Sequence, residues 1–380
     1  MKMWYFWVSY PLMLYSKFYD SENEIRAENK IENIYSLCGV EKDEKYFQIK
    51  SAFCTQRILS FRMVNLKQQN RIGMKFKYLY ALRSKMGMRA YIDEFFKFYN
   101  YEEEDSKFLI DSYEKIMDNS VTFALFNKAM DLYNESIDCD YGKIIDIADK
   151  IASILYLYDF TVEFLIFVCL SQRAEKVYAE KGIPSEIFHA NMYDLKYKAD
   201  ECKLVYNIVG SFVADWFIGF FKATRFTFGR LQFELMDFCK NYENDGRVLT
   251  PESKVINIHI PRSLKPLDEK SCDEAFFMAK EFFKDEFESY IPFYCNSWIL
   301  YPENKKILSE KSNTYRFMSG FEIINEYTDK NLDNLWRIFD TMERCPDKLP
   351  EKTLLQKAYK AHLKNGGKLG GGEGLFFISL

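Results

Sequence analysis

Only three histidines occur in this chain, and imidazole is the side chain that exchanges protons near neutral pH. Each is therefore a place to look for chemistry. His259 lies in VINIHIP (255–261), where alternation puts it on one face with Asn257, opposite Ile258 and Ile260. Downstream, FYCNSWIL (293–300) and the next residue offer Cys295, Ser297 and Tyr301, one thiol and two hydroxyls. A Cys295–His259 nucleophile pair is conceivable from residue types. Equally, buried cysteine serves as a small hydrophobe, and a strand histidine can simply bond a neighbouring strand or loop. Arg225, Arg230 and Gln232 share one run; arginine suits phosphate or carboxylate, and salt bridges at strand ends are the other reading. Lys364 precedes and Lys368 lies within the glycine-dense 366–374. Such a run can cradle phosphate through backbone amides, but a flexible C-terminal hairpin accounts for it better. His189 and His362 fall in helical patterns and read as structural. Nine cysteines are scattered without a CxxC pair, so no metal site is expected.

Two kinds of pattern must position these residues. From Ala90 onward apolar residues recur three and four apart, over 90–100, 106–117, 120–135 and 144–170 with a break near Asp159. That is the mark of helices with one buried face. Gly182-Ile183-Pro184-Ser185 restarts the pattern, with Ser185 as N-cap. Near Trp216 the period changes to two. Thr224 to Asp237 reads as one strand with a bulge or crossing at Gly229. Further strands are predicted over 255–260, 293–300 and 315–325. Ser271-Cys-Asp-Glu274 has the capping-box form ahead of a helix through Phe287, and helices follow over 331–341 and 351–365. The expected fold class is α+β: an all-helical domain (86–203) packed on a mixed α/β domain (204–380). Residues 1–85 read as a poorly specified leader that the core does not need.

Composition narrows the function classes. The chain has 52 Lys and Arg against 56 Asp and Glu, for a net charge of −4, which leaves no electrostatic footprint for nucleic acid. Aromatic residues make up 18%, ample apolar surface for a core and for an acyl-sized pocket besides. The most apolar stretch, 151–170, carries Asp159 and Glu163, so it reads as a buried helix rather than a membrane span. The apolar start lacks a small-residue cleavage site. With cysteines that read as reduced thiols, a cytoplasmic protein is expected.

Several motifs in order resemble a family of bacterial acyltransferase-like proteins: GIPSEIF (182–188), TRFTFGRLQFEL (224–235), VINIHIP (255–261), CNSW (295–298) and LLQKAYKAHLKNGGKLGGGEG (354–374). Members pair a helical N-acyltransferase N-terminal domain with a GNAT-like C-terminal domain. The resemblance runs from about Ala90 to the C-terminus. It implies acyl-CoA as a cosubstrate, with no tightly bound cofactor, and a small-molecule or peptide amine as acceptor. The CoA arm would lie in a wedge between two splayed parallel strands, bonded to backbone at Ile258 and Ile260, with phosphates near Arg262, Lys265 and Arg230. His259 would deprotonate the amine, and Ser297 or Tyr301, with Cys295 beside them, would protonate the departing thiolate. One departure stands out. The glycine-rich phosphate loop expected after the first wedge strand is replaced by RSLKPLDEKS (262–271), and Asp268, Glu269, Asp273 and Glu274 crowd the next helix start. That substitution keeps open a second reading, a degenerate acyltransferase that binds a ligand without catalysis.

Overall fold

The computed structural model describes residues 87–380 apart from Leu264, all within one compact unit. The expectation that residues 1–85 are dispensable lies outside the described residues.

From Met88 to Phe221 the chain is helical. Six helices follow one another: α1 (Met88–Phe98), α2 (Glu103–Asp118), α3 (Ser120–Glu135), α4 (Tyr141–Leu155), α5 (Asp159–Glu180) and α6 (Ser185–Tyr206). A 3-10 turn (Ala214–Phe217) and short α7 (Ile218–Phe221) close the half. Local caps set the starts: the Asn119 carboxamide accepts the amides of Val121 and Thr122, and Asp140 accepts that of Lys143. The run 164–170 of α5 is buried on every side, which makes it the central helix; α1, α3, α4 and α6 pack around it. The apolar stretch 151–170 is thus two elements, broken where Tyr156 takes a left-handed backbone, φ 54°. Among the described residues no helix is long and apolar enough to cross a membrane.

The second half is a six-stranded sheet in the order β1-β2-β5-β6-β8-β7, with a separate β3–β4 hairpin. The strands are β1 (Arg225–Phe228), β2 (Leu231–Asp237), β3 (Tyr242–Asn244), β4 (Arg247–Leu249), β5 (Lys254–His259), β6 (Tyr290–Ser297), β7 (Glu322–Thr328) and β8 (Gly370–Ser379). Only β5 and β6 run parallel, joined by α8 (Glu269–Phe283). Short α9 (Asn304–Ile307), α10 (Asn313–Ser319), α11 (Leu335–Phe339) and α12 (Leu354–Lys364) complete the unit.

Four expectations change. The run 224–237 is a hairpin, not one strand: Phe228 pairs with Leu231 across a two-residue turn in which Gly229 takes φ +57°. Residues 313–319 form a helix because the Ser312 hydroxyl caps it and buries Phe317 and Met318; the strand begins only at Glu322. Helix α8 starts one turn before the capping box, with the Asp268 carboxylate accepting the Ser271 amide. Lastly, the glycine-dense C-terminus is no loose hairpin but β8, hydrogen-bonded between β6 and β7.

The sheet has two chemically different faces. Phe226, Phe233 and Ile258 align across β1, β2 and β5 and, with Phe228 and Phe293, meet Phe276, Phe282 and Phe283 of α8. The alternate rows are polar: Arg225–Glu234–Asn257 and Thr227–Gln232–His259. This face receives α6. The Asn191 carboxamide accepts the Thr227 amide at 2.8 Å and donates to the Arg225 carbonyl at 2.9 Å, so a side chain pairs the exposed edge of β1. Gln232 donates to Asp194 at 2.9 Å.

Candidate active-site cleft

The parallel ladder between β5 and β6 holds at two positions, Ile256 with Phe293 and Asn257 with Tyr294, and is not continued beyond them. A cleft of about 370 Å³ opens where the strands part. Its walls are Asn257 to Pro261 on one side and Asn296 to Trp298 on the other. Lys198, Val213 and Trp216 close it from the helical half, and Tyr327 with α11 from the far side.

His259 lies in this cleft with one nitrogen committed. Its Nε2 is 3.2 Å from Glu234 Oε2, and the Asn257 amide stands 3.3 Å away. The ring meets Trp216 edge to face, centroids 4.9 Å apart. Burial alone would raise the Glu234 carboxyl, but the His259 hydrogen bond and the Arg225 guanidinium prevail and hold it down at about 2. Arg225 grips Glu234 Oε2 through Nε at 3.1 Å and Nη2 at 2.9 Å, lies over the Trp216 ring at 4.0 Å and donates to the Trp216 carbonyl. With Glu234 ionised, Nε2 of the neutral imidazole carries the proton. Nδ1, which has no hydrogen-bond partner among the described residues, keeps its lone pair. Burial, opposed by the Glu234 bond, leaves the imidazole below its ordinary value, so the ring is neutral at pH 7.

The other sequence candidates divide. Ser297 lines the cleft, its oxygen accepting the Ile299 amide, which leaves its hydrogen available. Ile258 and Ile260 line it too. Tyr301 does not: it is buried beyond the 3-10 turn 298–300, its ring against Gly370. Cys295 does not line the cleft either: it is fully buried, and desolvation pushes the thiol up to about 12; a thiolate nucleophile there is not available. Arg230, Arg262 and Lys265 surround the loop after β5 rather than the cleft. Arg230 fixes that loop by donating to the carbonyls of Pro261 (2.8 Å) and Lys265 (3.0 Å). Arg262 is ion-paired with Asp340, and burial lowers the Lys265 ammonium. His189 bonds Tyr99, and His362 faces the Lys368 carbonyl. Among the described residues no group of His, Cys, Asp and Glu is arranged to hold a metal.

A second cavity, about 890 Å³, lies between α8 and α10. It runs from Leu267 and the first turn of α8 past Phe276, Phe277, Phe317, Phe321 and Phe376, and it shares no residue with the cleft.

Sequence reasoning missed Glu234, Trp216, Tyr327 and Arg337. Glu234 carried a signal, a carboxylate on the polar face of an otherwise apolar strand two residues from Gln232. The others reach the cleft from segments whose placement no local pattern encodes.

The comparisons agree with this architecture. Residues 90–223 match the N-acyltransferase N-terminal domain and residues 226–376 the GNAT-like C-terminal domain. The chain belongs to the family that joins these two domains. Its fold is similar to that of an acyltransferase mutant solved with octanoyl-CoA, at 19% identity and TM-score 0.60, covering 76% of this chain and 87% of that one. It is also similar to an acyltransferase solved with decanoyl-CoA and teicoplanin, at 18% identity and TM-score 0.57 with the same coverage. A third, solved with CoA and 10C-teicoplanin, gives 18% identity and TM-score 0.54, covering 76% of this chain and 99% of that one. No curated protein matches the sequence.

Proposed function

We propose that this protein is a cytoplasmic N-acyltransferase that moves an acyl group from CoA to an amine. The observation that carries the reading is the parting of β5 and β6 at Asn257, with His259 beyond it on β5 and bonded to Glu234 of neighbouring β2. The family and the acyl-CoA complexes of similar folds support it. The pantetheine arm would enter between the strands along Ile258 and Ile260, from the side of the larger cavity. The amine nitrogen then attacks the thioester carbonyl, forming the C–N bond. Its proton passes to Nδ1 of His259, and the carbonyl oxygen draws on backbone N–H groups that β6 no longer engages. The C–S bond breaks, the CoA thiolate takes a proton from solvent, directly or relayed through the Ser297 hydroxyl, and His259 returns its proton to solvent.

One feature favours a binding module instead. The start of α8, where a pyrophosphate would sit, is already occupied by the Asp268 carboxylate, a charge that repels phosphate. Titration with CoA, acetyl-CoA and decanoyl-CoA, followed by assay of thiol release with a panel of amines, separates the two. Acyl-CoA binding with amine-dependent release is expected. Binding without release from any amine favours the module, and no CoA binding overturns the acyltransferase reading.

A further inference from the structure

No Asp or Glu lines the cleft around His259, and the nearby Glu234 is committed to His259 and Arg225, in a chain with 56 acidic residues. Of the lining residues the cations are Lys198 and Arg337. The two cations differ in availability. Lys198 is almost fully buried and bonded to Glu201 at 3.0 Å, so its charge is met within the protein. Arg337 donates only through Nε, to Asn334 Oδ1 at 3.1 Å. Its guanidinium lies over the Trp336 ring at 4.3 Å, and its Nη1 and Nη2 have no partner among the described residues. A flat, supported guanidinium with two parallel N–H groups open to a cleft matches a carboxylate.

We propose that the acceptor is a small amine that carries its own carboxylate, of the α-amino acid class, with Arg337 holding the carboxylate while the amine faces His259. This rests on the acyl-transfer reading and adds the acceptor to it. Three observations point the same way. An acceptor with several ammonium groups would find no uncommitted carboxylate on these walls. A cleft of about 370 Å³ is at the small end of ligand sites, so amine and anion fit there within one small molecule. Finally, Arg337 lines the cleft and not the cavity that holds the first turn of α8, which groups it with His259 rather than with the expected phosphate site.

The test compares the proteinogenic α-amino acids, their carboxamides and spermidine, by calorimetry in the presence of CoA and by kcat/KM with acyl-CoA. At least one free acid should bind about tenfold or more tightly than its amide, the worth of one charge-assisted bond. Arg337→Gln should abolish that ratio and leave the KM for acyl-CoA within about twofold, and Arg337→Lys should restore part of it; the side chain is exposed, so the melting temperature should hold. Equal binding of acids and amides, preference for spermidine, or binding of no acid overturns the proposal. So does an Arg337→Gln variant whose defect lies in acyl-CoA KM, which would give the guanidinium to a CoA phosphate. Acid-selective binding without turnover would leave the carboxylate site standing and sink the acyl-transfer reading. Turnover that ignores the carboxylate would do the reverse.

Discussion

Glu234 and His259 share a hydrogen bond of 3.2 Å across neighbouring strands, and the same carboxylate oxygen is held by two nitrogens of Arg225. Three residues from three adjacent strands therefore fix one imidazole tautomer, with Nδ1 left toward the cleft. His259→Ala should lower turnover by roughly a hundredfold or more with little change in the KM for acyl-CoA. Glu234→Gln should cost at least about tenfold, since the ring loses the partner that sets its tautomer.

The pH profile follows from the same contact. Because the imidazole is held below its ordinary value of 6.5, activity should rise with pH through a midpoint below 6.5 and be flat above it. Glu234 raises the imidazole, so Glu234→Gln should move the midpoint lower still. A midpoint that stays in place in kcat/KM measured from pH 4.5 to 8 would mean that another group limits the rate.

Acid stability reads out Glu234 independently of activity. A carboxyl lowered from 4.5 to about 2 in the folded state contributes stability that is fully present above 4.5 and is lost as pH falls toward 2. The urea midpoint of the wild type should decline between pH 5 and 3 more steeply than that of Glu234→Gln. Parallel declines would assign the acid sensitivity to other carboxylates.

Glu163 has the opposite sign. On α5 its carboxyl is raised, first by burial and then by Asp149, which shares a hydrogen bond with it, and by Asp159. The folded state disfavours its ionised form, so a penalty appears as pH rises above 4.5 and grows until the folded group ionises. Glu163→Gln should therefore raise the melting temperature at pH 8 and leave it nearly unchanged at pH 4. A variant less stable at both pH values would show that the carboxyl itself is needed.

Much of this was legible in the residues. Period-four patterns located the helices of the first half, because each has one apolar face against α5. The α8 crossover between β5 and β6 followed from VINIHIP and FYCNSWIL. The expected cleft kept His259 and Ser297 and lost Tyr301 and Cys295, for two reasons. Alternation puts Cys295 on one face with Ser297 but does not show where along the strand the cleft opens, and Cys295 stays within the sheet opposite Gly374; a 3-10 turn at Trp298–Leu300 carries Tyr301 off the strand line. Arg337 and Trp216 reach the site only through tertiary packing. The C-terminal strand was hidden by its glycines, which depress strand propensity although packing here requires them.

That requirement can be measured at Gly372. A Cβ there would lie 2.2 Å from the Leu300 carbonyl oxygen, a backbone atom that cannot rotate away. Its neighbours are as tight, with Gly370 at 2.3 Å from the Tyr327 carbonyl oxygen and Gly371 at 2.3 Å from the Tyr327 hydroxyl. The glycines let β8 come close enough to the 298–300 turn and to β7 for the sheet to close behind the cleft, so they act through steric room rather than through an unusual φ. Gly372→Ala should destabilise the fold by about 1–3 kcal/mol, the usual cost of overpacking, and displace Ser297, which pairs with Gly372 in register. Gly320→Ala is the control, since its Cβ would make only a 3.4 Å contact and should change stability by no more than about 0.5 kcal/mol. Thermal melting of the two variants decides the matter: equal melting temperatures would mean that β8 can shift to admit a methyl group.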